Sequence, residues 1–255
     1  MQSMDQEILT CPICKSSCSL LDAVDFNKSC SEPGGRYLPR AGIPISYALC
    51  NKCGFCFAPE LYEWPLSKFE ESIYNDDYIL VDPEYIEIRP KSNADVLRSM
   101  FPNLPSGIRH LDYGGGNGLL VKLLRESNWQ SASYDPFVDR SITPAQLGKF
   151  DLITAYEVFE HVPDPWKLMS DLRTLLSDDG LVVFSTLISD GNIHPGQKLS
   201  WWYASPRNGH ISLFSRKALV MLAQESGFTF ASCSAVLHAL FRGKPSWASH
   251  LIRTA

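Results

Sequence analysis

The sequence predicts a doubly wound α/β domain with a mostly parallel sheet, preceded by a small cysteine-rich module. Three observations carry this reading. From residue 108 onward, short apolar runs alternate with amphipathic segments, the pattern of strands exchanging with helices. A glycine-rich stretch joins the first apolar run to the first amphipathic one. Seven of the eight cysteines lie at or before Cys56, and Cys233 stands alone beyond it.

Taken in order, residues 1–60 are rich in Cys, Ser, Pro and Gly and hold few periodic runs, so that stretch needs a cross-link to keep a fold. Residues 61–105 form a linker, acidic and aromatic at first (Tyr62, Trp64, Phe69, Tyr74, Tyr78, Tyr85) and helical over 92–100, until Pro102 and Pro105 end it. Residues 106–255 make the α/β domain. Its first strand spans 108–113, followed by the glycine loop and a helix over 119–127. A second strand covers 131–134 and ends at Asp135, and another runs over 150–155 into a helix around 166–176. Asp178, Asp179 and Gly180 predict a turn into a strand over 181–187. A long loop over 189–210 then precedes a helix over 216–225, which Gly227 stops. Two closing strands fall near 228–233 and 236–241.

Composition sets bounds on function. With 255 residues the chain can bury one full-sized core beside a small appendage, and 45% hydrophobic with 20% charged residues is ordinary for a soluble protein. A net charge of −5 supplies no global basic field, which argues against nucleic acid and anionic membrane surfaces as partners. Met1 to Thr10 carries two acids and no apolar run, unlike a signal peptide, and apolar stretches such as 181–184 are strand-sized. The expectation is a soluble, cytoplasmic protein.

The strongest functional signal is Leu111-Asp112-Tyr113-Gly114-Gly115-Gly116-Asn117-Gly118-Leu119. Glycines here let the backbone turn sharply and remove Cβ atoms that would block a ligand, and the helix start beyond offers unpaired N–H groups. Asp135 lies 23 residues past Asp112 at the end of the next strand, where a carboxylate can accept both hydroxyls of a ribose. The plain alternatives are a structural turn and a turn-forming Asp before Pro136. A dinucleotide fingerprint would read Gly-x-Gly-x-x-Gly, whereas this loop reads Gly-x-Gly-x-Gly with Asp112 before it. That acid would repel a pyrophosphate but can hold an ammonium, which favours S-adenosylmethionine (AdoMet).

These motifs, with the stretch Phe150-Asp151-Leu152-Ile153-Thr154-Ala155-Tyr156-Glu157-Val158-Phe159-Glu160-His161-Val162, resemble those of class I AdoMet-dependent methyltransferases over residues 106–242. The resemblance implies a seven-stranded Rossmann-like sheet whose last strand is antiparallel to the rest. It also implies that Asp112, Tyr113, Gly114, Gly115, Gly116, Asn117, Gly118, Asp135 and Pro136 hold the cofactor, with Ala155, Tyr156, Glu157 and Val158 beneath it. The similar stretch in such enzymes makes Tyr74 to Tyr78 a lid, with Tyr78 over the cofactor; the plainer reading is a solvated acidic segment. One departure stands out. Only 14 residues separate Asp135 from Phe150, so the third strand is abbreviated, to Ser141 and Ile142, and no acid matches the one expected near adenine.

Glu157, Glu160 and His161 follow the strand over 150–155, at the ligand-facing end of an open sheet. His161 there, and His210 before the later helix, are the candidate bases for an acceptor's proton; each also reads as an ordinary packing or loop histidine. Trp201, Trp202 and Tyr203 can wall a sugar or other flat acceptor, or pack against the N-terminal module. No Asn-Pro-Pro-Tyr-like motif supports a nucleobase amine.

Cys11-Pro12-Ile13-Cys14 and Cys50-Asn51-Lys52-Cys53 are two Cys-x-x-Cys knuckles, four thiolates for a structural zinc; Cys18, Cys30 or Cys56 could replace one of them, and a redox dithiol is the alternative. A similar cysteine-rich front end occurs in bacterial methyltransferases of sugars and surface polysaccharides. The function expected is methyl transfer to a small-molecule or saccharide acceptor, at oxygen. The competing expectation is a zinc-ribbon protein that binds nucleoside or associates with RNA without catalysis.

Overall fold

The central strands are apolar on both faces because helices cover both. In the computed structural model, which describes residues 9–251, the strand running Phe150–Tyr156 sends Leu152 to one buried cluster and Ile153 and Ala155 to another. Such two-sided burial is the mark of a parallel sheet sandwiched between helices.

The chain opens with three antiparallel strands, β1 (Cys18–Asp25), β2 (Pro44–Cys50) and β3 (Cys56–Phe57). Four helices follow: α1 (Pro59–Tyr62), α2 (Leu66–Ser72), α3 (Tyr78–Val81) and α4 (Ile88–Met100). The α/β region then runs β4 (Arg109–Tyr113), α5 (Leu119–Arg125), β5 (Gln130–Tyr134), α6 (Pro144–Leu147), β6 (Phe150–Tyr156), α7 (Pro165–Leu175) and β7 (Leu176–Ser185). It closes with β8 (Ser212–Leu213), α8 (Arg216–Glu225), β9 (Thr229–Ser232) and β10 (Leu237–Phe241). The main sheet has the order β5-β4-β6-β7-β10-β9. Its first three pairings are parallel, and β10, last in the chain, is antiparallel to both neighbours.

Helices α7 and α8 start where sequence chemistry starts them. The Asp164 carboxylate accepts the Lys167 N–H at 3.0 Å with Pro165 in the first turn, and the Ser215 hydroxyl accepts the Ala218 N–H at 3.0 Å. Each such cap is worth about 1 kcal/mol. Leu168, Met169 and Leu172 of α7, and Leu219, Leu222 and Ala223 of α8, bury one face of the sheet, while Ala94 and Leu97 of α4 with Leu120 and Leu124 of α5 bury the other.

Two expectations need correction. Among the described residues the main sheet has six strands, not seven: the 141–142 stretch forms no strand, and the short helix α6, capped reciprocally by Thr143 and Gln146, takes its place. Fourteen residues are too few for a crossover, strand and return, each parallel connection needing a dozen or so. The turn expected at Asp178 to Gly180 lies inside β7. There the register passes from Phe150 opposite Leu176 to Leu152 opposite Leu181, so the extra residues bulge within the strand.

The N-terminal strands do not form an isolated sheet. β3 pairs with β8, giving the order β1-β2-β3-β8, and Cys11, Cys53, Phe55 and Phe57 share one buried cluster with Phe159, Phe214 and the sheet. Trp166 of α7 donates its indole N–H to the Pro12 carbonyl at 2.8 Å, fastening the first cysteine knuckle to the sheet's helical layer.

Candidate cofactor and acceptor site

The glycine loop leaves β4 along a path that only glycine can follow. Gly114 has φ 75°, and a Cβ there would lie 2.6 Å from a methyl of Val158. A Cβ on Gly115 would lie 2.2 Å from the Ser133 hydroxyl and 2.9 Å from the Asp112 carboxylate. Side chains from β4, β5 and the turn after β6 thus pack directly under the bare backbone.

The loop borders a cavity of about 830 Å³, at the large end of the range of about 300–1,000 Å³ usual for small-molecule sites. Of the residues the sequence singled out, Asp112, Tyr113, Gly114, Gly115, Gly116, Asn117, Asp135, Pro136, Tyr156, Glu157, Val158, Tyr78, His161 and His210 all line it. Two do not. Gly118 starts α5 and borders a separate surface groove, and Ala155 is fully buried in the core beneath the floor.

Asp112 is held by a buried chain that the sequence reading missed. The Thr154 hydroxyl donates to the Asp112 carboxylate at 2.7 Å, so it accepts from His110 Nε2 at 2.9 Å, and His110 Nδ1 meets the Ser131 hydroxyl at 2.6 Å. Burial pushes the Asp112 carboxyl up to about 7, against the pull of Thr154, and pushes the His110 imidazole down to about 3. Alternation along β4 was a signal for His110, since it places residues 110 and 112 on the same face. Asp135 is set by backbone donors: the Gly116 N–H reaches one oxygen at 3.0 Å and the Phe137 N–H the other at 2.8 Å.

Glu157 follows β6 with φ 54°, a left-handed conformation that a side chain adopts at a cost. It is tied there by Ser185, whose hydroxyl accepts the Glu157 N–H at 2.9 Å and donates to the carboxylate at 3.0 Å, and by Arg89 at 3.3 Å. Arg89 also pairs with Asp82, so it joins the start of α4 to the end of β6 across the cavity. No sequence motif marked Arg89 as part of the site.

At the far end, His161 Nδ1 lies 3.1 Å from the Gly209 carbonyl, and His210 Nδ1 lies 2.8 Å from the Tyr203 carbonyl. A carbonyl only accepts, so each Nδ1 carries its ring's proton and each Nε2 keeps the lone pair. Neither Nε2 has a hydrogen-bond partner among the described residues. Burial pushes His161 down to about 4 and His210 well below the usual histidine range. Both rings are neutral at pH 7. Beneath them Glu160 is fully buried, its carboxyl pushed up to about 8 and joined to the Tyr203 hydroxyl. Tyr74, Tyr78 and Tyr85 stack edge to face beside the histidines, with Trp64, Phe69 and Phe137 completing the wall. Trp201, Trp202 and Tyr203 are not part of that wall. Trp201 and Tyr203 pack against the N-terminal strands, and Trp202 is 39% exposed.

Beside the first turns of α7 and α8, the thiols of Cys11, Cys14, Cys50 and Cys53 lie within 4.8 Å of one another, while Cys18, Cys30 and Cys56 stand outside the group. The contacts are 3.6 Å between Cys11 and Cys53 and 3.4 Å between Cys14 and Cys50, too long for disulfides. A tetrahedron with zinc–sulfur arms of about 2.3 Å has edges of about 3.8 Å, close to both. The backbone N–H groups of Lys52 and Cys53 each point at Cys50 Sγ from 3.4 Å, favouring its thiolate. The donor set is compatible with a structural zinc.

A crevice beyond the carboxyl ends of parallel strands, with a glycine loop and acids on adjacent strands, places the chain in the Rossmann-like class of α/β proteins. The model of the methyltransferase domain family matches residues 85–232, more than half of the chain, and the chain belongs to that family. Among curated relatives, a ubiquinone biosynthesis O-methyltransferase of Actinobacillus pleuropneumoniae is 37% identical over 71 residues, covering 28% of this chain and 27% of the relative. One of Acinetobacter baumannii is 33% identical over 63 residues, 25% of this chain and 27% of the relative. The chain thus matches about a quarter of the length of these relatives. Among solved structures, Burkholderia thailandensis 1,6-didemethyltoxoflavin-N1-methyltransferase aligns with TM-score 0.47 at 17% identity, over 80% of this chain and 96% of its own. Streptomyces venezuelae DesVI aligns with TM-score 0.44 at 12% identity, over 68% and 98%.

Proposed function

We propose that the protein transfers a methyl group from AdoMet to a hydroxyl of a small-molecule acceptor, a saccharide among the candidates. One observation carries this reading: a single cavity has the glycine loop, Asp112 and Asp135 at one end and two imidazoles with free Nε2 lone pairs at the other. Family membership supports the reaction class. No helix among the described residues is long and apolar enough to cross a membrane.

AdoMet carries a methyl bound to a sulfonium, so transfer needs in-line placement and no covalent enzyme intermediate. Asp135 would accept the ribose hydroxyls, the bare loop would lie against the methionine moiety, and Asp112 would offset its ammonium. The methyl end would then point toward His161 and His210. A neutral imidazole there can take the acceptor's proton as oxygen attacks carbon. Glu157, held in a strained conformation and paired with Arg89, limits the space between the cofactor and that end. The four cysteines would hold a zinc whose closed sulfur shell leaves no position for substrate, so its part is to cross-link residues 11–53.

The test is incubation with methyl-labelled AdoMet and panels of monosaccharides, nucleotide sugars and phenols, with S-adenosylhomocysteine (AdoHcy) measured as product. Formation dependent on a hydroxylated acceptor is expected, together with its loss in the His161→Asn, His210→Asn double variant. Turnover only with amines, or undiminished turnover in that double variant, would sink the reading.

A further inference from the structure

We infer that the N-terminal sheet helps build the reacting end of the cavity, with Tyr47 and Lys28 as positioning residues for His210. This rests on the reading that His210 serves the acceptor. The segment 199–211 has no regular structure except one short 3-10 turn at Pro206–Asn208, so its internal ties are turn bonds such as the His210 N–H to the Ser205 carbonyl at 3.2 Å. Contacts from residues 22–47 tie it to the rest of the molecule.

The Asp22 carboxylate accepts the Leu199 N–H at 2.8 Å. Lys28 donates its ammonium to the carbonyls of Trp201 at 2.6 Å and Ala204 at 2.7 Å, two charge-assisted bonds on either side of Tyr203. The Cys30 N–H reaches the Asn208 side chain at 2.8 Å. The hydroxyl of Tyr47, a residue with no exposed surface, donates to the backbone carbonyl of His210 at 2.7 Å. That bond fixes the residue from which the imidazole projects.

The opposite side is closed by Glu160. Its carbonyl accepts the Ile211 N–H at 2.9 Å, and its carboxyl meets the hydroxyl of Tyr203, whose ring centre lies 4.2 Å from that of His210. With Tyr203 fixed by Lys28 on one side and Glu160 on the other, its carbonyl accepts a hydrogen bond from the Nδ1–H of His210, which keeps the proton on Nδ1 and the lone pair on Nε2. Tautomer and aim of the imidazole are therefore set by residues more than 150 positions away.

The matched control is Tyr62, a half-buried tyrosine of the neighbouring helix α1, whose hydroxyl bonds the Ser212 side chain and does not touch His210. The experiment is nitrogen-15 NMR of histidine-labelled full-length protein, for wild type, Tyr47→Phe, Lys28→Met and Tyr62→Phe, each with and without AdoHcy. Wild type is expected to give the well-separated pair of ring shifts of one His210 tautomer. Tyr47→Phe and Lys28→Met should draw that pair together as tautomers mix, while AdoHcy affinity stays within about a factor of two. Tyr62→Phe should lower the melting temperature and leave the pair unchanged. A wild-type pair of shifts in both Tyr47→Phe and Lys28→Met, or equal mixing in Tyr62→Phe, would overturn the inference. Ring shifts of His210 that ignore bound AdoHcy would instead overturn the functional reading beneath it.

Discussion

The two ends of the cavity are built by opposite means. The end with the glycine loop is local. Asp112 to Asn117 are contiguous, Asp135 closes the adjacent strand, and parallel pairing of β4, β5 and β6 brings them together. The end with the histidines is assembled from afar, from Tyr47 of β2, Tyr74 after α2, Arg89 of α4, His161 after β6 and His210 before β8. Strand geometry alone positions the first end; the second needs the N-terminal module, α4 and a long loop to be in place together. Disturbing one end should therefore leave the other measurable.

The largest separation is expected at the cysteines. Cys53→Ser, or removal of metal by a strong chelator, should lower the melting temperature by about 10 °C, from a loss of about 4 kcal/mol. Scanning calorimetry with elemental analysis checks this, and zinc near zero in the untreated protein would contradict the metal assignment. The next effect lies in the other end. Gly115→Ala drives a Cβ into Ser133 and Asp112, and AdoHcy affinity should fall about 100-fold, near 2.7 kcal/mol, by titration calorimetry. The same clash should cost about 1–3 kcal/mol of stability, a smaller drop in melting temperature than at the cysteines.

A smaller effect tests the electrostatics. Burial raises the Asp112 carboxyl to about 7, so the fold favours its neutral form, and that preference costs stability progressively as pH rises from the unfolded value of 3.8 through 7. A cationic ligand favours the ionised form. AdoHcy affinity should then rise about tenfold between pH 6 and pH 8, and a flat profile would exclude Asp112 from the ammonium. Thr154→Val removes a hydrogen bond that favours the Asp112 charge. It should move the profile to higher pH and weaken binding at pH 7 by about threefold.

This contrast also explains what could be read from sequence. Period-two alternation and glycine chemistry are local, so the main-sheet strands, α7, α8 and the stop at Gly227 were legible to within a few residues. The third strand was not, because the expectation came from a family pattern that 14 residues could not accommodate. The bulge in β7 was missed because Asp-Asp-Gly reads the same whether the chain reverses or merely swells. At the cavity, the glycine loop and acids lay on consecutive strand ends and could be named together. Ala155 was named with its neighbours, yet strand alternation turns it into the core. Arg89 and Tyr47 gave no signal, since their roles depend on partners 68 and 163 residues distant, and Glu160 was named without its partner Tyr203. Of the two readings of Trp201-Trp202-Tyr203, a ligand wall or packing on the N-terminal module, the second holds for Trp201 and Tyr203, which are buried with the N-terminal strands.

The central claim, that the bare loop and the two flanking carboxylates grip an adenosyl ligand, is tested most directly by calorimetric titration of AdoHcy and NADH into wild-type and Asp135→Ala protein. The account predicts one AdoHcy per chain, no measurable NADH, and at least about a 100-fold weaker AdoHcy interaction in the variant. Equal AdoHcy affinity in the two proteins, or NADH bound in its place, would contradict it.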